Sequence, residues 1–139
     1  MKIRVKAIKN WYLTGSILII FLSSFCYSTT GIKESFITIS VSEAKELVDN
    51  DEELFVLDVR NPYEFEAGHI LGAYLIPVND IFARKDELPK NTSTSILVYC
   101  QSGYRSATAS DTLDSLGYTQ VKNMAYGFSA WIGAGYPYE

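Results

Sequence analysis

Histidine and cysteine are scarce in this chain: His69 is the only histidine, and the two cysteines are Cys26 and Cys100. One His and one Cys beyond the first thirty residues are too few for a metal centre of imidazole and thiolate ligands. They also argue against a Cys-His hydrolase. Such a site needs His69 to reach Cys100 and to be oriented by a third group, yet His69 sits between Gly68 and Ile70, in a turn after a different strand. A hydrogen bond tying that turn is the use read for it. Internal repeats and low-complexity blocks are missing as well.

Acidic residues are absent before Glu34, where Lys2, Arg4, Lys6 and Lys9 form a basic start and Trp11 to Tyr27 runs without a charge. That pattern reads residues 1–28 as a secretory signal or an N-terminal membrane anchor rather than a surface helix. Cleavage after Ser28, retention as an anchor, and lipid modification of Cys26 are the alternatives within that reading. The expected location is extracytoplasmic, secreted or in the cell envelope, with membrane contact if the segment is retained. Residues 29–35 read as a linker and 36–139 as one domain, the size that 139 residues with 47% apolar and 20% charged content support. With four of the 12 cations in the first nine positions, the part after Thr30 carries 8 positive against 16 negative charges. So acidic a surface excludes a nucleic-acid partner.

Short β-type runs alternate with helical ones along the domain, which predicts an α/β fold with a mostly parallel five-stranded central sheet and helices on both faces. Strands are expected at Phe36–Ile39, Leu54–Asp58, Tyr74–Ile76, Ser95–Tyr99 and Val121–Met124. Ser40 with Glu43 makes a capping box for a helix ending near Asn50, and Asn61 with Pro62 opens a short second helix. A helix is expected from Val78 to about Asp86, another from Ala107 to Leu116 with Gly117 as a left-handed C-cap, and a last one over Gly127–Ile132. Gly133 to Tyr138 reads as a tail.

Cys100 falls at the carboxyl end of a strand and just before a helix, the place where open α/β sheets bind ligands. Backbone N–H groups at a helix start, together with Arg105, lower a thiol pKa and cradle an anion. The loop is Cys100-Gln-Ser-Gly-Tyr-Arg-Ser106, with four residues between Cys100 and Arg105. A phosphatase loop has five residues in that interval, so this smaller cradle suits a sulfur atom carried on Cys100 better than a tetrahedral phosphate. Cys100, unpaired once Cys26 is set aside, is then a free reactive thiol or one half of an intermolecular bond. Asp58 and Arg60, ending the neighbouring strand, read as a pair that orders loops through charge-assisted hydrogen bonds. Glu64 and Glu66 read as solvated helix charges, and Tyr126, Phe128 and Trp131 as core or pocket rim, with core favoured.

Three stretches together resemble one family. Leu57-Asp-Val-Arg-Asn-Pro-Tyr-Glu-Phe-Glu-Ala-Gly-His-Ile-Leu-Gly-Ala73 with Ile76-Pro77, Val98-Tyr-Cys-Gln-Ser-Gly-Tyr-Arg-Ser106, and Gly127-Phe-Ser-Ala-Trp131 are similar, in order and spacing, to the signatures of single-domain rhodaneses. The resemblance spans roughly Thr38 to Pro137 and implies a rhodanese-like fold and sulfur transfer without a cofactor. Cys100 would take sulfane sulfur from a small anionic donor such as thiosulfate, hold it as a persulfide, and pass it to cyanide or a thiol. Gln101, Ser102, Gly103, Tyr104, Arg105 and Ser106 would bind substrate through their backbone N–H groups, with Arg105 holding donor charge or bracing the loop, Ser102 adding a hydroxyl donor, and Ser106 either doing the same or capping the next helix. The alternative is a binding or sulfur-relay module that serves a partner protein with little turnover on thiosulfate.

Overall fold

In the computed structural model, residues 36–139 are described; the signal-or-anchor segment and the linker of the sequence reading lie outside them. Among the described residues, no helix is long and apolar enough to cross a membrane.

Five strands form one sheet: β1 (Ile37–Ile39), β2 (Phe55–Asp58), β3 (Tyr74–Leu75), β4 (Ile96–Tyr99) and β5 (Val121–Met124). Their spatial order is β1-β5-β4-β2-β3, and every pairing is parallel. The central strand β4, Ile-Leu-Val-Tyr, is buried along its whole length, as a strand covered on both faces must be. Phe55–Asp58 of β2 runs in register with Ile96–Tyr99 of β4, so Asp58 and Tyr99 end side by side and the loops after them share one edge.

Helices cover both faces. α1 (Val41–Asn50) and α4 (Gly127–Gly133) lie on one, where Ala44, Phe128 and Trp131 join Val56, Leu97, Tyr99 and Met124. α3 (Tyr104–Ser115) lies on the other, where Ala109 and Leu113 pack with Leu57, Val98 and Val121. The short α2 (Pro62–Glu66) follows β2 at the site edge. Ser40 caps α1 as its sequence demands: its hydroxyl accepts from the Glu43 N–H at 3.3 Å, and the Glu43 carboxylate accepts from the Ser40 N–H at 2.8 Å. Gly117 has φ +93°, the left-handed turn that ends α3.

Three local expectations change. The helix expected over Val78–Asp86 is instead two 3-10 turns, Val78–Asp80 and Lys85–Glu87, because the N–H groups of Asp80 and Glu87 close on carbonyls three residues back, those of Pro77 and Arg84. α3 begins at Tyr104, not Ala107, so Arg105 and Ser106 belong to its first turn. The presumed tail is docked: the Trp131 indole N–H donates to the Pro137 carbonyl at 2.8 Å, and Glu139 exchanges two backbone hydrogen bonds with His69.

Leu113 is fully buried between α3 and the sheet. Leu113→Ala should cost about 2–5 kcal/mol, read as a lowered midpoint in urea unfolding with an unchanged slope.

Candidate active site

Cys100 leaves β4 fully buried, and the chain then turns through Gln101-Ser102-Gly103 into α3. No side-chain oxygen caps this helix, and Gly103 stands at the N-cap with φ +96°. The sulfur takes the place of a capping oxygen: the Gly103 N–H donates to Cys100 Sγ at 3.2 Å, and the Ser106 hydroxyl lies 3.5 Å from it. That hydroxyl is also 3.1 Å from the Gly103 carbonyl, so its single proton serves either acceptor. Burial pushes the Cys100 thiol up, but hydrogen bonds from the Ser106 hydroxyl and from the N–H groups of Ser106, Ser102 and Gly103 outweigh it, so the thiol sits below its ordinary value.

The loop is held from behind by α4. The Phe128 N–H donates to the Cys100 carbonyl at 2.7 Å and the Ser129 N–H to the Gln101 carbonyl at 3.1 Å, which satisfies amides that a helix start leaves open. Gly127 permits this contact, since a methyl there would overlap the Cys100 carbonyl. Tyr126, just before it, has φ +58° and is largely exposed, a correction to its reading as core.

Asp58 and Arg60 form a buried pair on the other side of the loop. Arg60 Nε lies 3.0 and 2.9 Å from the two Asp58 carboxylate oxygens, and one Nη donates to Asp58 at 2.6 Å and to the Gly68 carbonyl at 2.7 Å. The other Nη reaches the Gln101 side-chain oxygen at 3.3 Å, and the guanidinium stacks over Phe128 at 4.2 Å. The pair therefore touches the turn after α2, the cysteine loop and α4. His69 lies in that turn, with Nδ1 3.0 Å from the Phe65 carbonyl and its ring stacked on Phe65.

The candidate binding residues are thus in different situations. The amides of Ser102, Gly103 and Ser106 face the sulfur, as does the Ser106 hydroxyl. Gln101 is engaged by Arg60 and Ser129, and the Tyr104 side chain stands in solvent. Arg105 makes a two-pronged ion pair with Glu64, at 2.7 and 2.8 Å. Glu64 is therefore not a solvated charge. The Arg105 hydrogen bonds hold its carboxyl down at about 2, although partial burial pulls the other way, and Glu64 and the nearby Cys100 both strengthen the Arg105 charge. This contact joins residues 41 positions apart, beyond the reach of local pattern.

A family model described as the rhodanese-like domain matches residues 40–134. The chain belongs to that family. It is 39% identical over 95 residues to the putative sulfur carrier protein YrkF of Bacillus subtilis, covering 68% of this chain and 50% of that protein. It is 32% identical over 116 residues to thiosulfate sulfurtransferase 18 of Arabidopsis thaliana, covering 75% and 84% of the two chains. The crystal structure of a rhodanese-related protein from Thermoplasma volcanium superposes with a TM-score of 0.66 at 29% identity, over 75% of this chain and 98% of that one. The rhodanese fold expected from the signatures is the fold found.

Two outcomes follow from this rhodanese geometry. Alkylation of Cys100 should titrate below the free-thiol value of about 8.5, and Ser106→Ala should move the midpoint up, because it removes a donor that favours the thiolate. Glu64, depressed from 4.5 to about 2, gives stability that is present above the unfolded value and lost as pH falls from about 4.5 towards 2. Arg105→Ala should return the Glu64 titration in NMR towards 4.5 and flatten that loss.

Proposed function

We propose that this protein is a sulfurtransferase that carries sulfane sulfur on Cys100. The observation that carries the reading is the sulfur at the amino end of α3, with the Gly103 N–H and the Ser106 hydroxyl directed at it. A thiolate held that way attacks the outer sulfur of a donor such as thiosulfate; the new S–S bond forms on Cys100 as the donor's S–S bond breaks and sulfite leaves. The persulfide's terminal sulfur then sits in the same collar of amides until cyanide or a thiol attacks it and regenerates the thiolate. No general base is needed, because the collar already favours the deprotonated form.

Relatives bearing the names sulfurtransferase and sulfur carrier support this reading. Exposed Tyr63, Tyr104, Tyr126 and Ile132, on the segments around the loop, favour a protein as one exchange partner, since aromatic side chains are enriched at interfaces. The basic start and the uncharged run Trp11–Tyr27 support an extracytoplasmic place of work, secreted or anchored.

Mass spectrometry of the protein after thiosulfate or another sulfane donor provides the test. One added sulfur on the wild type, absent from Cys100→Ser and removed by cyanide, is the expected result; a folded wild type that takes up sulfur from no donor overturns the proposal.

A further inference from the structure

We infer that Tyr138 is a positioning residue for Cys100: its ring joins two of the groups that hold Arg60, and through them sets the aim of the cysteine loop. This goes beyond the sulfur-transfer reading and shares with it only the identity of the reactive atom.

Residues 136–139 follow α4 and return to the turn after α2, pinned at three points. The Trp131 indole N–H holds the Pro137 carbonyl at 2.8 Å. The Tyr138 ring packs on Gly68, where an added Cβ would come within 3.1 Å of it, and meets the Phe128 ring edge-on with centroids 5.7 Å apart. Glu139 exchanges backbone hydrogen bonds with His69 at 2.6 and 2.9 Å, and its carboxylate accepts from the Gly72 N–H at 3.2 Å. A short strap thus laces α4 to the turn that carries Gly68.

Gly68 and Phe128 belong to different elements, yet both serve the same buried guanidinium. The Gly68 carbonyl accepts from Arg60 at 2.7 Å, and the Phe128 ring lies 4.2 Å from the Arg60 carbon. Tyr138 touches each of them. One route from its ring reaches the Cys100 backbone through Phe128, whose N–H donates to the Cys100 carbonyl at 2.7 Å. A second reaches the Gln101 side chain through Gly68 and Arg60. With seven residues, α4 is too short to hold its place by its own hydrogen bonds, so the strap supplies part of its anchorage. Amides favour a thiolate only when aimed at it, and a displacement of about 1 Å from the productive geometry is costly. Tyr138 is 52% exposed, so trimming it opens no closed cavity.

The test follows the pH dependence of Cys100 alkylation by iodoacetamide, with the rate of sulfur loading from thiosulfate beside it. Tyr138→Ala should move the alkylation midpoint up towards the free-thiol value of about 8.5, and should slow both alkylation at neutral pH and loading by roughly tenfold. Tyr138→Phe, which keeps the ring, should match wild type in both. Tyr136→Ala is the control for general slackening. The Tyr136 ring packs on Trp131 at 5.1 Å and beneath Lys45, neither of them among the groups that hold Arg60. Its loss should lower the unfolding midpoint and leave the Cys100 titration in place. A folded Tyr138→Ala protein whose Cys100 titrates as in wild type overturns the proposal, as does the same shift in Tyr136→Ala or a Tyr138→Phe protein that behaves like Tyr138→Ala. Should Tyr138→Ala not fold, Tyr138→Leu takes its place with the same expectation. Alkylation needs no sulfur donor, so a wild type that takes sulfur from none would overturn the sulfur-transfer reading and leave this one standing on its own measurement.

Discussion

The buried pair of Asp58 and Arg60 is the constraint on which the site depends. A guanidinium that is 2% exposed loses nearly all of its hydration, and only well-aimed partners restore it. Here the partners belong to separate segments: Asp58 at the end of β2, the Gly68 carbonyl in the turn after α2, Gln101 in the cysteine loop, and the Phe128 ring on α4. Satisfying one cation therefore fixes three connections relative to one another. Removing either member would leave an uncompensated buried charge, worth about 3–5 kcal/mol.

That frame lets a buried cysteine remain ionisable. Desolvation alone would raise the Cys100 pKa and make it an inert core thiol. The loop opposes this with amides that α3 leaves without intrahelical partners, and α4 holds the carbonyls of Cys100 and Gln101 on the opposite side. The backbone at Cys100 is thus polarised from both directions. Gly103 and Gly127 allow the two close approaches, one through a left-handed turn and the other through the absence of a side chain.

Legibility in the sequence followed the range of each interaction. Ser40 and Glu43 stand three residues apart and settle their own capping geometry, and the apolar runs of β2 and β4 announce strands wherever they are placed. Asp58 and Arg60, two apart on one strand end, could be paired on the page. Glu64 and Arg105 could not, because their meeting depends on how β2 and β4 align in register. The early start of α3 was hidden for a chemical reason: its N-cap is Gly103, which has no side chain, and the acceptor is the Cys100 sulfur three residues earlier, whereas sequence rules look for Ser, Thr, Asp or Asn at the N-cap. The stretch after Pro77 carries no glycine or proline before Pro89 to interrupt a helix, but it folds as two tight turns with Ile81 buried and Phe82 exposed.

Burial also bears on how such a thiol survives. Lowering the pKa of a cysteine makes it a better nucleophile and a better target for oxidants, which act on the thiolate. Cys100 has no solvent-exposed surface, and it is the only cysteine among the described residues. An intramolecular disulfide within them is therefore excluded. Burial of the sulfur and the hydrogen bonds that favour its ionised form therefore act on different properties: the first limits the reach of oxidants, the second keeps the thiol reactive.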